Sequence, residues 1–213
     1  MKKLKIIYAF VVLSAFFFAG CDKEDTEGLS RITYFPTFEM AGDEFMSLVQ
    51  GETYTEPGVT ATEEGTEIEV TTTGTVDTST PGVYEIVYSA TNKDGFSGTV
   101  TRTVAVLPEA EQEGVDISGK YANTGSFAYV ADVVKLAPGF YRSSNIWGGG
   151  SAAIIPAYIV TTDGTNLVLP TSALSGYGRV EGTGTLNDAG LMELSVSLLD
   201  QGLANSARKW QKQ

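Results

Sequence analysis

The 213-residue chain reads as all-β: a β-sandwich followed by a second antiparallel β-sandwich or small β-barrel. Two strictly alternating segments carry that reading. Tyr84, Ile86, Tyr88 and Ala90 fall on one face of Val83–Ala90, and Met192, Leu194, Val196 and Leu198 alternate with Glu193, Ser195 and Ser197. Such alternation marks a strand with one side buried and the other wet. The third observation is the spacing of turn residues, with no long helical period between them.

The clearest element is the hairpin Gly74–Leu107. Asp77-Thr-Ser-Thr-Pro81-Gly82 leads into its first strand. There Pro sets φ, Gly accepts positive φ, and Asp and Ser bond local backbone. Asn92-Lys-Asp94-Gly95 reverses the chain, and Thr99–Leu107 returns rich in Thr and Val. Earlier strands are expected at Arg31–Phe38, Glu44–Val49, Val59–Ala61 and Glu67–Thr73. Tyr84 and Tyr88 are expected in the core. Arg102, on the face of Val100, Val104 and Val106, is either a strand-edge residue or paired with an acid.

The order V-D-T-S-T-P-G-x-Y-x-I-x-Y-x-A-T, a D-G turn, then T-V-T-R-T-V-x-V resembles the bacterial Ig-like domains repeated in many cell-surface proteins. The resemblance covers Tyr54–Leu107. It implies an Ig-like β-sandwich used as a spacer or binding platform; it does not imply an enzyme, and fold analogy alone assigns no function.

Met1–Gly20 is read as a signal segment. Lys2, Lys3 and Lys5 precede an apolar stretch, Ile6–Ala19, that is shorter than the ~20 residues a bilayer requires. Phe18-Ala19-Gly20-Cys21 resembles a lipobox, although Phe18 stands where Leu is commoner. That resemblance implies cleavage before Cys21 and its lipidation on sulfur and amine, which gives stable anchoring. The alternative is an ordinary secretory signal with an incidental cysteine. Because Cys21 is the one cysteine, no intramolecular disulfide forms and no thiol remains for catalysis or metal. The acidic run Asp22–Glu27 resembles the surface-export signal of Bacteroidota outer-membrane lipoproteins; otherwise it is a solvated tether. The first reading implies an outer-membrane lipoprotein facing the cell exterior.

Net charge is −12, and loss of Met1–Gly20, with three lysines and no acid, deepens it to −15. That excludes nucleic acid as a partner and confines membrane contact to the lipid anchor, since anionic surfaces need a basic face. The expected organisation is a signal peptide at 1–20, a tether at 21–28 and the Ig-like domain at 29–107. A polar linker follows at 108–114, and the second β domain occupies 115–213.

In that second region strands are expected at Phe127–Leu136, Phe140–Ile146, Ile154–Thr161, Asn166–Leu169 and Gly178–Leu186. Turns fall at Pro138-Gly139, Gly148–Gly150, Asp163-Gly164 and Asn187–Gly190. Asp116–Tyr121 and Gly139–Gly148 resemble the all-β C-terminal domain of two-domain lipoproteins associated with polysaccharide-utilisation loci. The resemblance implies handling of extracellular glycans.

The chain has no histidine, which excludes Ser-His-Asp and Cys-His nucleophiles and His-based zinc sites. No P-loop or dinucleotide fingerprint is present, so no cofactor is expected. Asn92–Gly95 matches a fragment of a Ca²⁺ loop but lacks the remaining ligands, and reads as a turn. Asp and Glu abound without marking a glycosidase pair. No catalytic residue is assigned.

The candidate ligand-binding residues are Trp147, Tyr141, Arg142 and Asn145, beside Gly148–Gly150, together with Tyr177 between two glycines. A displayed aromatic ring with amide and guanidinium groups suits the apolar face and hydroxyl rim of a sugar. The competing reading makes Trp147 the core tryptophan of the β domain. Trp210 is expected to cover the end of the sheet. Two functions stand. One is a non-catalytic lipoprotein that binds poly- or oligosaccharide or assists a polysaccharide-uptake complex. The other is an interaction module docking on an outer-membrane transporter or neighbouring lipoprotein, since interfaces also favour Tyr, Trp and Arg.

Overall fold

The computed structural model describes residues 32–125, 129–149 and 153–213. The signal segment, Cys21 and the acidic tether lie outside the described residues.

Seven strands form the first region: β1 (Thr37–Met40), β2 (Phe45–Val49), β3 (Val59–Glu63), β4 (Thr66–Ile68), β5 (Val70–Thr73), β6 (Gly82–Thr91) and β7 (Ser97–Leu107). They make a three-stranded sheet, β1-β3-β4, and a four-stranded sheet, β2-β7-β6-β5. The first strand starts later than expected because Pro36 has no N–H for the ladder. The expected strand Glu67–Thr73 breaks at Glu69 and contributes one piece to each sheet. In β6, Ile86, Tyr88 and Ala90 are buried, as the alternation requires. Tyr84 is only half-buried, and its hydroxyl donates to Thr80 O at 2.7 Å. It is therefore not the core residue expected, and it lines the cleft between this region and the next.

Arg102 ties the two sheets together. Its side chain is fully buried, and Nε donates to Glu56 Oε1 at 2.9 Å. Nη2 donates to Ala41 O at 2.6 Å, and Nη1 donates to Asp43 O. Glu56 also accepts from the Tyr54 hydroxyl and from Gly58 N–H. Burial pushes the Glu56 carboxyl up, but these bonds and the Arg102 charge outweigh it and hold the group below its ordinary 4.5. The sequence left open an edge role or an acid partner for Arg102; the structure gives it the partner.

The second region closes into an eight-stranded antiparallel barrel in the order β10-β11-β12-β13-β14-β15-β8-β9. Its strands are β8 (Gly119–Asn123), β9 (Val130–Ala137), β10 (Phe140–Ser143), β11 (Ala157–Val160), β12 (Asn166–Ser172), β13 (Val180–Leu186), β14 (Leu191–Leu198) and β15 (Leu203–Lys212). Closure removes the sheet edges that an open sandwich would leave. Tyr121, Tyr141, Ile159, Leu167, Leu169, Met192, Leu194, Val196 and Trp210 fill the interior. Trp210 is thus a core residue and not a cover for the sheet end: it is 1 % exposed.

All four residues of β11 are buried, although a barrel strand normally wets its outer face. Ala157 and Ile159 point inward. Tyr158 and Val160 point outward, where they join Phe140 of β10 and Ala105 and Leu107 of β7 in a second apolar cluster. Phe140 packs 5.0 Å from Tyr158 and 6.3 Å from Phe45 of β2, centroid to centroid. The sandwich therefore packs against the barrel wall, and Phe35–Gln213 is one compact unit. Gly139, at φ +66°, permits the approach: a Cβ there would stand 2.8 Å from Leu107 Cδ1.

The connection between the regions is itself bonded to the barrel. Glu111 accepts from the Tyr141 hydroxyl and from Lys135 Nζ, both at 2.8 Å. Gln112 N–H donates to Thr162 O at 2.8 Å. Burial raises the Glu111 carboxyl, and the bonds from Lys135 and Tyr141 more than offset it, leaving it below its ordinary value.

Two outcomes follow. Glu56 and Glu111 stabilise the fold fully above the unfolded carboxylate value of 4.5, and that stability is lost as pH falls through their depressed folded values. Thermal melts should therefore decline below about pH 4.5, and Glu56→Gln should flatten this acid limb while lowering stability at pH 7. Phe140→Ala should cost about 3–5 kcal/mol. It should also split one calorimetric transition into two; a wild-type protein already melting in two independent steps would contradict the packing.

Candidate functional site

Strand alternation scatters the residues that lie together in the sequence. Tyr141 faces the barrel interior, and its hydroxyl, bonded to Glu111, is shifted upward chiefly by burial and then by that carboxylate. Arg142, next along β10, is exposed on the outer wall. Asn145 is 5 % exposed. Tyr141 and Asn145 are therefore withdrawn from any surface ligand, a correction to the expected set. Tyr177 lies in the β12–β13 loop, partly buried against the barrel core, and shares no cavity with Trp147.

Asn145 instead builds the loop that presents Trp147. Its Oδ1 accepts from Trp147 N–H at 3.0 Å, Gly148 N–H at 3.1 Å and Ile155 N–H at 3.3 Å. One buried amide thus satisfies three backbone donors that a β ladder would otherwise satisfy. Trp210 Nε1 donates to Ile146 O at 3.3 Å and fastens the same loop to the core. Gly148 is required here: φ is +71°, and a Cβ would come within 1.9 Å of Asn123 Nδ2. Trp147 itself is partly buried, packed on the core but open at the loop. Neither a freely displayed ring nor a core tryptophan describes it fully.

Beside Trp147 opens a groove of about 460 Å³, lined by Asn123, Thr124, Trp147, Arg208 and Lys209 with intervening small residues. It lies where the β8–β15 ladder ends at Trp210–Asn123, just beyond which Thr124 N–H still donates to Lys209 O at 3.1 Å. Arg208 lies on the Trp210 face of β15, and its guanidinium carbon stands 3.6 Å from the Trp147 ring centroid. That stacking is a cation–π contact. The sequence reading missed Arg208, although it stands two residues before Trp210 and so shares its face.

A larger cleft of about 560 Å³ lies between sandwich and barrel, with Tyr84, Val106, Pro108, Val168 and Pro170 among its walls. Its carboxylates are committed locally: Glu109 accepts from the Thr162 hydroxyl at 3.1 Å, and Asp163 accepts from Thr165 and Asn166 N–H at 2.8 and 2.7 Å.

Among the described residues no acidic or thiol cluster could hold a metal. The suspected Ca²⁺ fragment is a turn, in which Asn92 Oδ1 accepts from Asp94 and Phe96 N–H at 3.1 and 2.7 Å. No helix among the described residues is long and apolar enough to cross a membrane.

Residues 38–106 match the family described as bacterial surface protein, Ig-like domain. The match covers the sandwich strands and stops before the barrel. No protein of curated function matches the chain. Among solved structures, a lipoprotein of Bacteroides thetaiotaomicron is similar at 26 % identity and a TM-score of 0.41, covering 84 % of this chain and 100 % of that one. Clostridium perfringens ZmpB contributes two more. Its M60 catalytic domain with CBM51-1 and CBM51-2 is 13 % identical, with a TM-score of 0.34 over 86 % of this chain and 23 % of that one. Its CBM51-2 in complex with GlcNAc and INT domains is 15 % identical, with a TM-score of 0.31 over 83 % and 48 %. Likenesses at these scores carry no functional argument; the chemistry of the groove does.

Asn145→Ala strips three backbone donors of their acceptor. It should cost about 1–3 kcal/mol and shift the Trp147 emission to the red; an unchanged spectrum would mean that the loop holds its shape without the amide.

Proposed function

We propose that the chain is a non-catalytic, lipid-anchored surface protein that binds glycan through the groove beside Trp147. The observation that carries this reading is the held aromatic ring at a groove whose walls supply an amide, a hydroxyl and a guanidinium. A pyranose needs those three features: an apolar face to stack on and polar groups for its rim. The absence of histidine from the chain supports a binding role over acyl or metal-assisted hydrolysis.

In this reading Cys21 carries the lipid and Asp22–Glu27 forms a leash. The sandwich, matched to a surface-protein family at 38–106, holds the barrel away from an outer membrane, on its exterior face. The proposed units are 29–107 and 115–213 joined by 108–114, working beside a polysaccharide-uptake system. A second reading, docking on a transporter or lipoprotein, is favoured by one observation. Val130 and Val134, on the outer face of β9, are 48 % and 53 % exposed.

Calorimetric titration of the full chain in detergent with a panel of plant and host oligosaccharides tests the proposal. One glycan class should bind saturably, and Trp147→Ala should reduce affinity by at least about tenfold with the melting temperature kept. Silence across the panel, with a transporter or lipoprotein co-purifying instead, would favour the docking reading.

A further inference from the structure

Arg208 is the one groove residue whose chemistry singles out a ligand class. Among the described residues the other arginine withdrawn from solvent, Arg102, has Glu56 as its counter-ion. Lys209, Arg208's neighbour on β15, pairs with Glu193, and Arg179 pairs with Asp200. Arg208 has no acidic partner among the described residues. Its Nη1 donates to Ala207 O at 2.8 Å, while Nε is shielded from water and has no acceptor. Burial alone lowers its pKa, with no compensating negative charge beside it. A half-buried cation without a counter-ion is costly, and an arriving anion offsets that cost.

The rest of the groove agrees. Among the described residues its lining includes Arg208 and Lys209 and no Asp or Glu, in a chain whose net charge is −12. An anion approaching most of this surface is repelled, whereas at the groove it meets a guanidinium. That group's planar fork donates two parallel hydrogen bonds to a carboxylate or sulfate. The guanidinium lies over one face of the Trp147 ring, so a charged substituent held by the fork would bring the sugar ring that bears it alongside the indole.

We propose that the groove selects an acidic saccharide, with its carboxylate or sulfate seated on Arg208 and its ring against Trp147. This rests on reading the groove as a glycan site and adds the ligand's charge class to that reading.

The test titrates the full chain in detergent with three probes: a galacturonate tetramer, a sulfated galactose tetramer and a neutral galactose tetramer. Each is measured at about 50 mM and about 500 mM salt. One acidic probe should bind at least about tenfold more tightly than the neutral one, and that advantage should shrink at high salt. Arg208→Gln should abolish the preference, weakening acidic binding far more than neutral binding. Arg208→Lys, which keeps the charge and loses the fork, should retain only part of it. Where Arg208→Gln lowers the melting temperature sharply, the salt series on the wild type decides. Equal affinity for acidic and neutral probes, or an acid preference indifferent to salt, overturns the inference and leaves glycan binding standing. No binding of any probe overturns both.

Discussion

The structure depends on one strand having both faces buried. On β7 the face carrying Arg102, Val104 and Val106 looks into the sandwich, and the face carrying Thr103, Ala105 and Leu107 looks onto the barrel. Neither region can be completed without the other. Removing the barrel would expose Ala105 and Leu107, and removing the sandwich would expose Phe140, Tyr158 and Val160. An apolar seam of this kind is rigid because its side chains interdigitate at crystal-like density. Lipoprotein modules are often pictured as beads on a flexible string; here the joint is packed, and Glu111 further binds the connecting segment to the barrel floor.

Rigidity there bears on the groove through topology. Antiparallel order places the β9–β10 and β11–β12 turns at the end where the chain enters from the sandwich. The β8–β9, β10–β11, β12–β13 and β14–β15 connections lie at the opposite end, and the Trp147 loop is one of them. The β12–β13 connection still reaches the seam through Leu174, whereas Ile146 and Trp147 of the indole loop pack on the barrel interior instead. Asn145 and Trp210 fix the loop internally, so the ring is presented with little freedom to lose on binding.

Strands were legible in the sequence and the groove only in part, through Trp147, for a physical reason. Alternation is a local signal, and Met192–Leu198 declares its buried face without reference to any other strand. Even the fold class was open only between sandwich and barrel, since closure depends on pairing β8 with β15, near the opposite ends of the region. Proximity along the chain misled for Tyr141 and Arg142, which a strand sends to opposite faces. Arg208 escaped notice because its partner Trp147 is brought alongside only when the barrel closes; Trp210 and Ile146, bonded in the same place, are 64 residues apart. Tyr84 looked like core by its register, and only the folded chain shows it half-buried at the wall of the junction cleft.

The most direct test of the account uses the two tryptophans, Trp147 and Trp210, as internal probes. In a nitrogen-15 correlation spectrum each indole N–H gives its own signal, assigned with Trp147→Phe. Titration with the tightest-binding acidic oligosaccharide should move the Trp147 signal progressively and leave that of Trp210, sealed in the core, nearly still. Movement confined to backbone signals around Tyr84 and Val168, with both indoles unmoved, would place the ligand in the junction cleft and contradict the account.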